Sequence, residues 1–130
     1  MKSCTEKFPL DKNSKQTVLH LAVKKTDESC VKYFIDSGIE VDNENERDGT
    51  ALSIALRTIS QNKHKESITE INCRIIKLLH GNGAKLDAIK YKGTHGTKLE
   101  IRKKEYKTIL EKCLKGNVKN EIIIKYILYY

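Results

Sequence analysis

The chain has 130 residues, the length of one domain, and its 38% hydrophobic content suffices for one modest core. Lys and Arg number 25 against 17 Asp and Glu, a formal net charge of +8, and the surplus is uneven: residues 1–80 hold 13 basic and 12 acidic residues, residues 81–130 hold 12 and 5. No stretch approaches the ~20 apolar residues that cross a bilayer, and the N-terminal MKSCTEKFPLDK lacks the apolar centre of a secretory signal.

Four cysteines (Cys4, Cys30, Cys73, Cys113) lie 26, 43 and 40 residues apart with no CxxC pair. A disulfide framework in a small secreted protein is usually denser. The expectation is a reduced, intracellular (cytoplasmic) chain, or one exported to a host cell without a recognisable N-terminal signal. Neither the cysteines nor His20, His64, His80 and His95 show the ligand spacing of zinc sites. A catalytic thiol needs a spatially neighbouring base, and the sequence does not reveal one, so no cofactor, metal or catalytic residue is expected.

Along the chain, Thr17-Val18-Leu19-His20-Leu21-Ala22 is echoed by Thr50-Ala51-Leu52-Ser53-Ile54-Ala55, with the threonines 33 residues apart. Each hexad is followed by an apolar segment at helical spacing that ends in glycine, Cys30 to Gly38 and Cys73 to Gly83. The unit this predicts is a short helix, a turn and a second helix, with a polar, glycine-containing connection to the next unit. Thr17 to Gly38 spans 21 residues and Thr50 to Gly83 spans 33, so the second unit carries 12 extra residues. The polar stretch Ser60–Thr69 (SQNKHKESIT) between its two helices is where they are expected. From Lys92 the pattern degenerates: Thr97-Lys98-Leu99 opens like a third hexad, but Glu100 and Arg102 take the expected His and Ala positions. A helix is predicted from near Lys98 to about Leu114, and a last one from about Val118 to Tyr129 as a C-terminal cap.

The repeated unit resembles an ankyrin repeat, whose signature is a T-P-L-H-x-A hexad on a period of about 33 residues. Gly83-Ala84-Lys85-Leu86-Asp87-Ala88 is similar to the family's G-A-x-x-N-A, with Asp87 for Asn. The resemblance implies an all-α ankyrin-repeat solenoid of stacked helix-turn-helix units in a single domain over 1–130. Its repeats would run about 13–45, about 46–92 with the insertion at 60–69, and 93–130 as degenerate repeat and cap. The signature residues are Thr17, Leu19, His20, Ala22 and Gly38, then Thr50, Leu52, Ala55 and Gly83. Each threonine would cap a helix, and each alanine would let the two helices of a unit approach closely. His20 would link neighbouring turns, a link for which Ser53 is expected to lack the reach.

The function this implies is non-catalytic binding of a partner protein through the concave face and the finger loops. The family's usual contact positions become Asn13, Ser14, Gln16, Lys24 and Lys25 in the first unit, and Glu46, Arg47, Gly49, Arg57 and Thr58 in the second. Lys24, Lys25, Glu46, Arg47 and Arg57 are the expected partner-binding residues, because long charged side chains reach furthest. The alternative is nucleic-acid or polyanion binding through Lys98, Arg102, Lys103, Lys104, Lys107, Lys112, Lys115 and Lys119; a solvated helix face accounts for the same charges. A host-directed ankyrin effector shares the binding chemistry. Gly93-Thr94-His95-Gly96-Thr97-Lys98 lacks the spacing of a phosphate-binding loop. The apolar segment Ile122–Tyr130 is a candidate self-association surface.

Overall fold

A computed structural model describes residues 3–8, 17–45, 47–91 and 95–114. Six α-helices account for most of them: α1 (Cys4–Lys7), α2 (Val18–Lys24), α3 (Glu28–Asp36), α4 (Ala51–Gln61), α5 (Glu66–Gly81) and α6 (Thr97–Cys113). A 3₁₀ turn, Leu86–Ala88, precedes α6. The described residues contain no β-strand, only one antiparallel bridge between Asn45 and Gly49. The fold is all-α. The cap helix expected at 118–129, the self-association surface, Lys115, Lys119 and the candidates Asn13, Ser14, Gln16 and Glu46 lie outside the described residues.

Helix starts follow from the hexad threonines. Thr17 and Thr50 sit at the N-caps of α2 and α4 with nearly the same backbone, φ −84° and ψ 164° against φ −87° and ψ 164°. Each hydroxyl accepts the backbone N–H three residues on, from His20 and from Ser53, and so satisfies a donor that lacks an intrahelical partner. Thr97 differs. It is the first residue of α6, Gly96 occupies the cap position, and no side chain caps that helix.

The helices pack in two rows. α2 pairs with α3 and α4 with α5, while α2 also packs on α4, α3 on α5, and α6 on both α4 and α5. Leu19, Ala22, Leu52 and Ala55 are at most 1% exposed, and the core continues through Ile75, Ile76, Leu79, Leu110 and Leu114. The alanines leave room for close helix approach because nothing larger than a methyl stands between the backbones.

The extra 12 residues of the second unit are absorbed into regular structure. Relative to α2, α4 is four residues longer; relative to α3, α5 is seven longer; the turn between them gains one. Residues 60–69 are therefore mostly helix, and their polar side chains lie on the two extended ends. α3 and α5 are each followed by a glycine of positive φ, Gly38 at 91° and Gly83 at 96°.

All four cysteines are bonded, which corrects the expectation of a reduced chain. Cys4 pairs with Cys30 at a Cα separation of 5.4 Å, and Cys73 with Cys113 at 4.9 Å. The first bond fastens α1 to α3, and the contact is broadened by Phe8 set edge-on to Phe34, ring centroids 6.3 Å apart. The second fastens the middle of α5 to the end of α6. Wide sequence spacing did not prevent pairing, because helix stacking brings distant residues within bridging distance.

Candidate functional site: the finger and the first-helix face

The residues joining the two units converge on the turn at 45–49. Asn45 and Gly49 exchange backbone hydrogen bonds of 3.1 and 3.0 Å, which closes the hairpin finger. His20 fixes that finger to α2. Its Nδ1 accepts from the Thr17 hydroxyl at 2.8 Å and faces the Thr17 N–H at 3.3 Å, so Nε2 carries the proton and donates to the Gly49 carbonyl at 2.9 Å. Burial lowers the His20 pKa, against the opposing pull of the Gly49 carbonyl and of Asp48, so the ring is neutral as this pattern requires.

Ser53 corrects an expectation. At the position equivalent to His20 its hydroxyl also joins neighbouring segments, accepting the Lys90 N–H at 2.9 Å while lying 3.0 Å from the Thr50 hydroxyl. The shorter side chain suffices because the chain at Lys90 runs directly against the finger. A Cβ added to Gly49 would fall 2.8 Å from Lys90 Cβ. A third link joins the units where Asp42 accepts the Lys85 N–H at 3.0 Å.

Of the five expected partner-binding residues, two are drawn together on Asp48. Lys24 Nζ lies 2.6 Å from Asp48 Oδ2, and Arg57 donates to Oδ1 at 3.3 Å and to the Asp48 carbonyl at 2.9 Å. The Asp48 side chain is only 7% exposed, against 29% for Lys24 and 25% for Arg57. Burial pushes the Asp48 carboxyl up, but the hydrogen bonds and charges of Lys24 and Arg57 together outweigh it and hold the carboxyl below its ordinary range. Lys24 and Arg57 thus present their stems and remaining donors from fixed positions. Lys25 and Arg47 are exposed beside them. Thr58 bonds back to the Ile54 carbonyl at 2.9 Å.

Asp48 was not singled out from the sequence, though a signal for it existed. Lys24 stands seven residues after Thr17, and Arg57 seven after Thr50. The repeat therefore puts both cations at one position of successive helices, with the acidic finger between them.

The next segment adds groups that the hexads do not announce. Tyr91 and Tyr106 lie with ring centroids 5.3 Å apart, and the Arg102 guanidinium carbon is 5.9 Å from the Tyr106 centroid. Burial raises the pKa of both hydroxyls, so both are protonated at neutral pH. Arg102 also donates to Ser60 Oγ at 2.9 Å, and Ser60 in turn donates to Glu105, which pairs with Lys63 at 2.9 Å. Arg102 is therefore turned toward α4, while Lys107 pairs with Glu111 at 3.7 Å.

Among the described residues no group of three or more His, Cys, Asp or Glu is placed to hold a metal ion, and no described helix is long and apolar enough to cross a membrane.

A finger bridged to paired helices, with one buried carboxylate clasped by consecutive units, defines a chain of linked helix pairs. The ankyrin-repeat family model matches residues 14–46, the first unit and about a quarter of the chain. Ankyrin repeats are protein-interaction modules, and the match supports that generic role. No curated protein and no solved structure matches the chain.

Proposed function

We propose that the chain is a non-catalytic module that binds a partner protein through the face formed by α2, α4 and α6 together with the finger at 45–49. The observation that carries this reading is the Lys24–Asp48–Arg57 cluster. It joins the first helices of two units to the finger between them, so the surface is ordered before a partner arrives. Preorganised side chains lose less freedom on binding, which favours affinity at a given contact area. Lys24 and Arg57 act in this reading as much by fixing the finger as by touching the partner, and Lys25 and Arg47 supply exposed charge next to them.

The repeat boundaries belong to the same proposal: a first unit over about 13–45, a second over about 46–92, and a degenerate unit with its cap over 93–130. The polyanion alternative rests on charge alone: Lys98, Lys104 and Lys112 are exposed, and a solvated helix face accounts for them equally. The paired cysteines fit an oxidising compartment and favour neither expected setting, because cytosolic thiol pools, a host cell's included, keep cysteines reduced.

The test is affinity capture compared between the native chain and a Lys25→Glu/Arg47→Glu variant. These substitutions leave the Asp48 cluster in place. Capture should fall at least about tenfold, the loss of one or two charge-assisted contacts. Equal capture would remove this face from the account.

A further inference from the structure

One small cavity on the first-helix face was not foreseen from the hexads. Arg57 and Gln61 of α4, Tyr91 of the connecting segment, and Arg102 and Tyr106 of α6 line a space of about 80 Å³. Two guanidiniums border one space, a like-charge arrangement that favours an anion between them. Both are held from behind: Arg57 by the Asp48 carboxylate and carbonyl, Arg102 by its hydrogen bond to Ser60 and its place beside the Tyr106 ring. Each guanidinium has five N–H donors, so both keep donors beyond these bonds. The Tyr91 and Tyr106 rings supply low-dielectric walls that strengthen a charge-assisted bond formed inside. The space admits a few waters, room enough for a carboxylate.

The sequence explains how the cavity arises. Counted along the hexads, Arg102 stands where Ala22 and Ala55 stand in the first two units, and those alanines are wholly buried. An arginine cannot fill the same volume, so its head lies at the α4–α6 boundary beside Tyr106.

We propose that this cavity is a recognition pocket for the carboxylate of a glutamate or aspartate side chain on the partner polypeptide. The inference rests on the partner-binding reading above and names the chemistry the partner must bring. Arg57 and Arg102 would hold the two carboxylate oxygens, and Gln61 at the rim would bond the backbone or amide next to it.

The test observes the arginine Nε–H signals of the intact, oxidised chain by NMR. The chain is titrated with N-acetyl-glutamate methylamide at constant ionic strength, and with the glutamine analogue as control. Saturable shifts of the Arg57 and Arg102 signals are expected with a midpoint of about 1 mM, the affinity a ligand of this size reaches at ordinary efficiency. The glutamine analogue should bind about tenfold more weakly. Arg102→Gln should abolish the shifts. Because that variant also loses the Ser60 bond, Gln61→Glu serves as the second one. Its own carboxylate should occupy the pocket, move both signals without ligand, and block the titration.

Equal responses to the two analogues, or a Gln61→Glu chain that still titrates, would overturn the proposal. Tighter binding of inorganic phosphate than of the glutamate compound would overturn the carboxylate assignment. The readout needs no partner, so the pocket can fail while capture by the first-helix face stands, and the converse.

Discussion

Reduction should bring this chain close to unfolding. The two disulfides close loops of 26 and 40 residues that do not overlap. In the chain-entropy account, closing loops of these lengths in the unfolded state is worth about 3.5 and about 3.9 kcal/mol at 25 °C. Independent loops add, so the pair contributes about 7 kcal/mol, which is comparable with the whole stability of an ordinary domain, about 5–15 kcal/mol. An unfolding entropy of about 2.1 cal/mol/K per residue, taken over the 130 residues, converts each disulfide into roughly 13–14 °C of melting temperature. The assay is thermal unfolding followed by far-UV circular dichroism at fixed protein concentration, with and without a reductant. Cys4→Ala/Cys30→Ala and Cys73→Ala/Cys113→Ala separate the two contributions. A thiol count on the unfolded, unreduced chain should find no free cysteine. Four free thiols, or a midpoint that reductant leaves in place, would refute the reasoning.

Three further outcomes follow from the finger. His20→Ala removes the donor to Gly49 and the acceptor for Thr17 inside a packed site, and should lower stability by about 2–4 kcal/mol in urea unfolding at neutral pH. In the native chain, His20 has its pKa lowered mainly by burial. Its share of stability is therefore full above the unfolded value of about 6.5 and lost as pH falls through the lower folded value; the His20→Ala chain should show a flatter profile there. Asp48→Asn leaves Lys24 and Arg57 facing a neutral group and should destabilise by about 1–3 kcal/mol at pH 7, a range kept low because both cations are partly solvated. The native Asp48 carboxyl is pushed up by burial but held lower by Lys24 and Arg57, so its contribution is present above about pH 4 and fades on acidification, and a pH-stability series on the two chains checks this sign. Gly49→Ala places a side chain at φ 77° and against Lys90; chemical denaturation should show a loss of about 2 kcal/mol or more.

Those parts of the molecule governed by local rules were legible in the sequence. A threonine followed by a leucine and an alanine at fixed spacing specifies a cap and a close helix contact within six residues, and Thr17 and Thr50 form that cap with the same backbone angles. The disulfides were not legible, because Cys4 reaches Cys30 only after a four-residue helix folds back on α3. Cys73 meets Cys113 for a similar reason: lengthening of α5 moves it from the start of its helix to the middle, opposite the end of α6. Ser53 was misjudged on side-chain length alone, when the decisive quantity was how closely Lys90 approaches Gly49. Arg102 stood out in the sequence only as a departure from the hexad. Tyr106 lies four residues on along the same helix, a neighbour that helical spacing provides, but Ser60 lies on α4, and that meeting is a property of packing.

Hydrogen–deuterium exchange on the chain bound to its captured partner tests the binding face most directly. Added protection is expected in α2, α4, α6 and the 45–49 finger, with α3 and α5 exchanging as in the free chain. Protection confined to α3 and α5 would contradict that assignment.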